Sequence, residues 1–215
     1  MFRSEGIEAM EAIAAVLGGS IGEQHNQQLG RLQVSEVVSL VEQAKAGDRE
    51  AFEGLMRAYS GFVYSLALRM LGRQADAEDV YQETFMRAWN HLPSFRTGGN
   101  FTYWVKRIAI NLCLDRLKRS ERRYAQVDSR RVEEIESAET GDQGAQQREH
   151  RELVNRLLGQ LPSRQRAAVV LFYLEEKSVE EEARLLKRRP ATVRVWLFRA
   201  REKMKAALEA TGYEL

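Results

Sequence analysis

Between positions 183 and 201 the chain holds seven Lys/Arg and no acid. Val193, Leu197, Ala200, Met204 and Leu208 recur at the spacing of one inward helix stripe. Arg194, Phe198, Arg201 and Lys205 fall on another face, with Val195 and Arg199 beside them. A helix that turns such a face outward suits the DNA major groove, where arginine forks read guanine edges and other cations neutralise phosphate. Arg188, Arg189 and Thr192, at the turn into this helix, complete the candidate duplex-reading set. The competing explanation is a plain charged surface helix.

A second set lies upstream. Tyr103, Arg107 and Asn111 stand at i, i+4 and i+8 of an expected helix, with Phe101 and Trp104 flanking Tyr103. A polar loop containing Ser94, Phe95, Arg96 and Asn100 precedes it. Aromatic faces beside cations and an amide are what unstacked bases require; the alternative is that Phe101 and Trp104 are core. The third set is acidic: Asp76, Asp79, Gln82 and Glu83. An exposed acidic face repels DNA, so any binding role points to a basic protein partner. A metal site would want histidines or converging carboxylates. The chain has no Glu-x-x-His pair, and His25, His91 and His150 are scattered, so no metal or cofactor is expected. Gly18-Gly19-Ser20-Ile21-Gly22 matches the G-x-S-x-G pattern of a hydrolase elbow. That chemistry needs a strand before the serine, and none is expected here, so no catalytic residue is assigned.

Helices must position these groups. From Ser35 the apolar period is helical, with Gly47-Asp48 as an interruption and Gly72 as a stop. Asp76 reads as an N-cap for a helix ending near His91, before Leu92-Pro93. The next helix spans about Phe101 to Arg119, with Phe101, Val105, Ile108 and Leu112 inward. Residues 120–148 lose the period and contain a breaker cluster at 140–144, which reads as a linker. Helices resume at Glu149, and Pro162-Ser163 begins a new one. Ala167 to Leu174 reads as buried helix rather than strand. Ser178 and Glu181 form a capping box, Lys187 to Pro190 turn the chain, and the last helix runs from about Ala191 to Leu208. Short helix, turn, basic helix is the helix-turn-helix layout.

Length and composition agree. With 215 residues, 44% hydrophobic and 30% charged, the chain can build one or two small cores. Three Pro and fifteen Gly are few, which argues against turn-rich β folds. One cysteine, Cys113, excludes an internal disulfide and a multi-Cys zinc site. No apolar run is long enough to span a membrane, and no signal peptide stands at the start, so a cytoplasmic location is expected. The net charge is only +2, but it is unevenly spread. Residues 101–131 carry nine basic and three acidic side chains, and residues 161–215 carry twelve and eight. The 29 residues between, 132–160, carry three and seven. Two basic blocks divided by an acidic one suit two contacts on a polyanion.

The run Asp76-Ala-Glu-Asp-Val-Tyr-Gln-Glu-Thr-Phe-Met-Arg-Ala-Trp89 resembles the signature helix of RNA polymerase sigma factors of the extracytoplasmic-function (ECF) class. Phe95 to Trp104 and Arg107 to Asn111 look like the segment that follows it. Leu161-Pro162, Ala191 to Val193 and Phe198 to Arg201 look like the C-terminal DNA-binding region. The resemblance covers about residues 35–119 and 149–211.

It implies an all-α fold with an N-terminal extension (1–34), a region-2-like domain (35–119), a linker (120–148) and a region-4-like helix-turn-helix domain (149–215). Asp76, Asp79, Gln82 and Glu83 would dock the clamp helices of the largest subunit of core RNA polymerase. Ser94, Phe95, Arg96, Asn100, Tyr103, Trp104, Arg107 and Asn111 would bind the melted −10 element. Arg188, Arg189, Thr192, Arg194, Val195, Phe198, Arg199 and Arg201 would face the −35 element. Core polymerase, promoter DNA and an anti-sigma factor are the implied partners, with no membrane insertion. The chain departs from the family at three places: Lys187 replaces the turn glycine, Glu182 an apolar residue, and Val195-Trp196 a Ser-Arg pair. Trp196 is expected to pack and Val195 to touch a thymine methyl. A stand-alone helix-turn-helix regulator is the alternative, but it leaves the acidic helix and the aromatic loop without a role.

Overall fold

A computed structural model of the chain describes residues 33–96, 98–126, 145–174 and 177–210. Ser20 and residues 1–32 of the expected N-terminal extension lie outside them, while Val34, its last residue, already begins a helix. All the regular structure among these residues is helical: eight α-helices, α1 (Val34–Lys45), α2 (Arg49–Leu71), α3 (Gln74–His91), α4 (Phe101–Gln126), α5 (Ala145–Gly159), α6 (Ser163–Val169), α7 (Val179–Leu185) and α8 (Pro190–Ala210), with a short 3-10 turn at Leu92–Ser94 and a π-helical segment after α6.

The first four helices form one bundle. Asp48 caps α2 by accepting from the Glu50 and Ala51 amides at 2.9 and 3.2 Å. Gly72 ends α2 in the left-handed region, φ 77°, with its amide on the Leu68 carbonyl. Glycine alone enters that region without a Cβ clash. Leu55, Leu66 and Met70 of α2 meet Val80 and Phe85 of α3 and Val105 and Ile110 of α4, all buried.

α5 to α8 surround a second set of buried residues: Leu157, Leu158, Leu171, Val193, Leu197, Met204 and Leu208. The inward stripe expected for α8 is the one observed. Ala167 to Leu174 is helical as expected and Ala167 to Leu171 are buried, but the second half, Val170–Leu174, is π-helical. Both halves of the Ser178/Glu181 capping box are present, and Ser178 draws the Glu181 carboxyl below its ordinary pKa by backbone and side-chain hydrogen bonds.

Two expectations need correction. α3 begins at Gln74, so Asp76 sits in its first turn and is not the N-cap. α4 continues to Gln126 and α5 starts at Ala145, so both ends of the expected linker are helical. Residues 127–144 of that linker lie outside the described residues. Lys187, at the family's glycine position, adopts φ 51°. The turn keeps its left-handed geometry although the side chain opposes it.

Candidate nucleic-acid interface

α8 carries most of the residues expected to read duplex DNA. Val195 is 46% exposed and Phe198 60%, and Arg194, Arg199, Arg188 and Arg189 are also exposed. Their outward placement follows from the inward stripe, because residues two and five positions beyond Val193 cannot share its face. Arg194 Nη2 is 2.9 Å from Glu180 Oε1, an exposed pair that α7 supplies. An open groove at the head of α8 is lined by Arg184, Lys187, Arg188, Arg189, Pro190 and Thr192, with Glu180 at one side. The cations gathered along this groove suit a phosphate. Trp196 is half-buried, with the Arg164 guanidinium 5.8 Å from its ring centroid.

Arg201 departs from the outward placement expected of the −35-facing set. It is half-buried, its Nε donates to Tyr173 Oη at 2.9 Å, and it lies over the Phe172 and Tyr173 rings. The guanidinium is used inside the domain, beside fully buried Glu182. Burial pushes the Glu182 carboxyl up to about 8, against the pull of Arg201.

The upstream set divides into a rim and a floor. Phe95 is buried, contrary to a base-facing role. Its ring packs 4.9 Å from Trp104, tilted 42° to it, and edge-on to Phe101 at 5.9 Å. Lys45 Nζ holds the Phe95 carbonyl at 2.7 Å, anchoring the loop to α1. Trp104 is half-buried and packs on Phe101. Above this aromatic floor Ser94, Arg96 and Asn100 are exposed. Asn100 Oδ1 accepts from the Tyr103 amide at 2.8 Å, so Asn100 caps α4. Asn111 is exposed, and Arg107 and Tyr103 are half-buried. The Tyr103 hydroxyl donates to the Arg184 carbonyl, 2.8 Å away in the second domain.

The acidic set lies along α3. Asp79 and Gln82 are exposed, and Asp76 and Glu83 are half-buried. Arg116 of α4 reaches both Asp76 and Asp79, at 3.4 and 3.1 Å, and Arg87 pairs with Glu83 at 2.8 Å. Arg116 was not singled out in the sequence, since nothing local links residues forty positions apart. No cluster of metal-ligating side chains occurs among the described residues, and no described helix is long and apolar enough to cross a membrane.

These features, an acidic helix, an aromatic-floored loop and a basic helix-turn-helix, define a two-domain helical transcription protein. Residues 55–123 match the sigma-70 region 2 profile and residues 151–204 the sigma-70 region 4 profile. The chain is 31% identical over 176 residues to the ECF RNA polymerase sigma factor SigW of Bacillus subtilis, covering 78% of this chain and 94% of that one. It is 35% identical over 171 residues to the ECF RNA polymerase sigma-E factor of Escherichia coli, covering 76% and 89%. Among solved structures, CnrH in complex with the cytosolic domain of CnrY superposes with a TM-score of 0.59 at 28% identity, covering 81% of this chain and 98% of that one. The sigma factor RpoE from Bartonella quintana, in complex with the anti-sigma factor NepR, shares the fold at a TM-score of 0.56 and 23% identity, covering 74% and 96%. The chain belongs to the ECF class of RNA polymerase sigma factors.

Proposed function

We propose that the chain works by binding alone, as an alternative sigma factor that joins core RNA polymerase and directs it to promoters. The observation that carries this reading is the presence in one chain of all three surfaces: α3, the loop before α4, and α8. Asp79, Gln82 and Glu83, with Asp76 at the head of α3, would dock the clamp helices. Ser94, Arg96, Asn100, Tyr103, Arg107 and Asn111 would hold unpaired bases of the −10 element, over the floor made by Phe95 and Trp104. Arg188, Arg189, Thr192, Arg194, Val195, Phe198 and Arg199 would engage the −35 element. Arg201 would support that helix from inside. Because RpoE from Bartonella quintana was solved with an anti-sigma factor, a protein of that kind is the proposed inhibitor. The cytoplasm, where polymerase works, is the proposed site of action.

The test is run-off transcription from genomic promoter fragments with core polymerase, with and without this protein. New discrete transcripts are expected only when both are present. Tight, sequence-specific duplex binding without polymerase, and no new transcript with it, would favour the stand-alone regulator.

A further inference from the structure

Three consecutive glutamates stand in the first turn of α7, and each meets a different environment. Glu181 closes the capping box with Ser178, and the charge of Arg184 also acts on it. Glu182 is buried. Glu180 is exposed, at one side of the groove lined by Arg184, Lys187, Arg188 and Arg189. It is the one carboxylate among the described residues that line this groove.

Glu180 Oε1 accepts from Arg194 Nη2 at 2.9 Å, across fourteen positions and from one helix to the other. Arg184 stands at the i+4 position that ordinarily partners a helical glutamate, yet the ion pair runs to Arg194. The two side chains are 59% and 61% exposed, and a pair so exposed adds little to stability. On a surface that meets a polyanion, a carboxylate also repels the phosphates. Neither stability nor general DNA affinity therefore accounts for Glu180, and its effect on Arg194 does. A loose arginine has many rotamers and meets phosphate at any sequence. Reading a base needs the fork in one place, where two N–H groups reach guanine O6 and N7 together. A guanidinium has five donors, so Arg194 held at Nη2 keeps others for a base edge, on the exposed side of α8 that also carries Val195 and Phe198.

We infer that Glu180 is a specificity-determining residue, which positions the Arg194 guanidinium for a base edge and by its charge keeps phosphate from taking it. That the duplex is a −35 element rests on the sigma-factor reading; a helix-turn-helix that reads any duplex would use the pair in the same way.

Selection from a randomised −35 library tests this, by the full chain with core polymerase and by the full chain alone. Glu180→Ala removes both charge and contact. Glu180→Gln keeps the reach without the charge. Glu180→Asp keeps the charge on a side chain one methylene shorter. Glu180→Ala should lose base preference at the position that Arg194 reads. Its ratio of specific to non-specific duplex affinity should fall about three- to tenfold, part of what a bidentate arginine contributes. Non-specific binding should tighten, with a salt slope steeper by about one, as Arg194 turns to phosphate. Glu180→Gln should share the steeper slope and keep part of the base preference. Glu180→Asp should lose the preference and keep the slope. Arg194→Ala should remove the same preference, and adding Glu180→Ala to it should change that preference no further, which general destabilisation of α7 would not reproduce.

An unchanged motif and an unchanged affinity ratio in Glu180→Ala would overturn the inference. So would a further change of base preference when Glu180→Ala is added to Arg194→Ala, since Glu180 would then act without Arg194. Should Glu180→Ala misfold by circular dichroism, the opposite behaviour of Glu180→Gln and Glu180→Asp decides. A motif that shifts as expected for the chain alone, with no run-off transcript from any form plus core polymerase, would sink the sigma-factor reading and leave the Glu180 assignment standing. No selected motif from the wild type in either setting would sink both.

Discussion

Glu182 is fully buried, and neither carboxylate oxygen has a hydrogen-bond partner. Its carboxyl titrates near 4.5 when unfolded and near 8 when folded. Between those values the native state holds the extra proton, so stability falls as pH rises through the window and levels off above it. Glu182→Leu should therefore stabilise the chain, by about 1–3 kcal/mol at high pH and less at low pH. Denaturant unfolding at about pH 6 and about pH 9 checks this; an equal gain at both would show that Glu182 stays ionised. Lys187 poses a separate question. A side chain at φ 51° opposes the turn, so Lys187→Gly should add about 0.5–1 kcal/mol of stability. If Lys187 also meets a phosphate, the same change should lower DNA affinity and reduce the salt slope by about one. A mutant that is more stable but binds duplex less tightly is the expected signature; reduced stability would mean the lysine makes an undetected contact. Val195 is the apolar residue on the reading face. Val195→Ser should change base preference at one upstream position by about 1–3 kcal/mol, read from a randomised −35 library. Identical selected motifs would show that Val195 does not touch a base.

At the scale of elements, α3 carries a docking face that costs the fold little. Charge reversal at Asp79 and Glu83 breaks only the exposed pairs to Arg116 and Arg87, which contribute about 0–1 kcal/mol each. Core-polymerase affinity should drop while the circular dichroism spectrum holds; unchanged affinity in a pull-down would remove the docking role. Most helices could be read from sequence because their stripes are local: the period of α8 gave its buried residues and all but one of its outward arginines, and Ser178-x-x-Glu181 marked the start of α7. What could not be read depends on distant partners. Asp76 looks like a cap by residue type, yet Arg116 is what it meets. Phe95 looks like part of a polar loop, but Phe101 and Trp104 draw its ring inward. Arg201 shares the outward period with Phe198, and only the packed position of Tyr173 shows why it turns away. The end of α4 was misplaced because residues 120–126 carry charge without an apolar stripe, so periodicity had nothing to report there.

At the scale of the whole molecule, the contact of α4 with α6 and α7 depends on the tether. The described contacts between α4 and the second domain include few polar bonds, among them Tyr103 to the Arg184 carbonyl and the Ser163 amide to Glu121. Such an interface is weak between separate molecules. Joined in one chain, the two domains see each other at an effective concentration of about a millimolar, which is what keeps a weak contact closed. Cutting the chain within residues 127–144, at an inserted protease site, removes that advantage without touching α4 or α5. At micromolar concentration the halves should elute separately by gel filtration. The N-terminal half should bind a −10 oligonucleotide more tightly than the uncut chain, because Tyr103 is freed. The C-terminal half should keep its −35 duplex affinity, because Val195 and Phe198 are exposed in either form. Transcription that depends on both elements should be lost, since each half then meets polymerase or DNA alone. Halves that co-elute and still support transcription would show that the interface, rather than the tether, holds the molecule together.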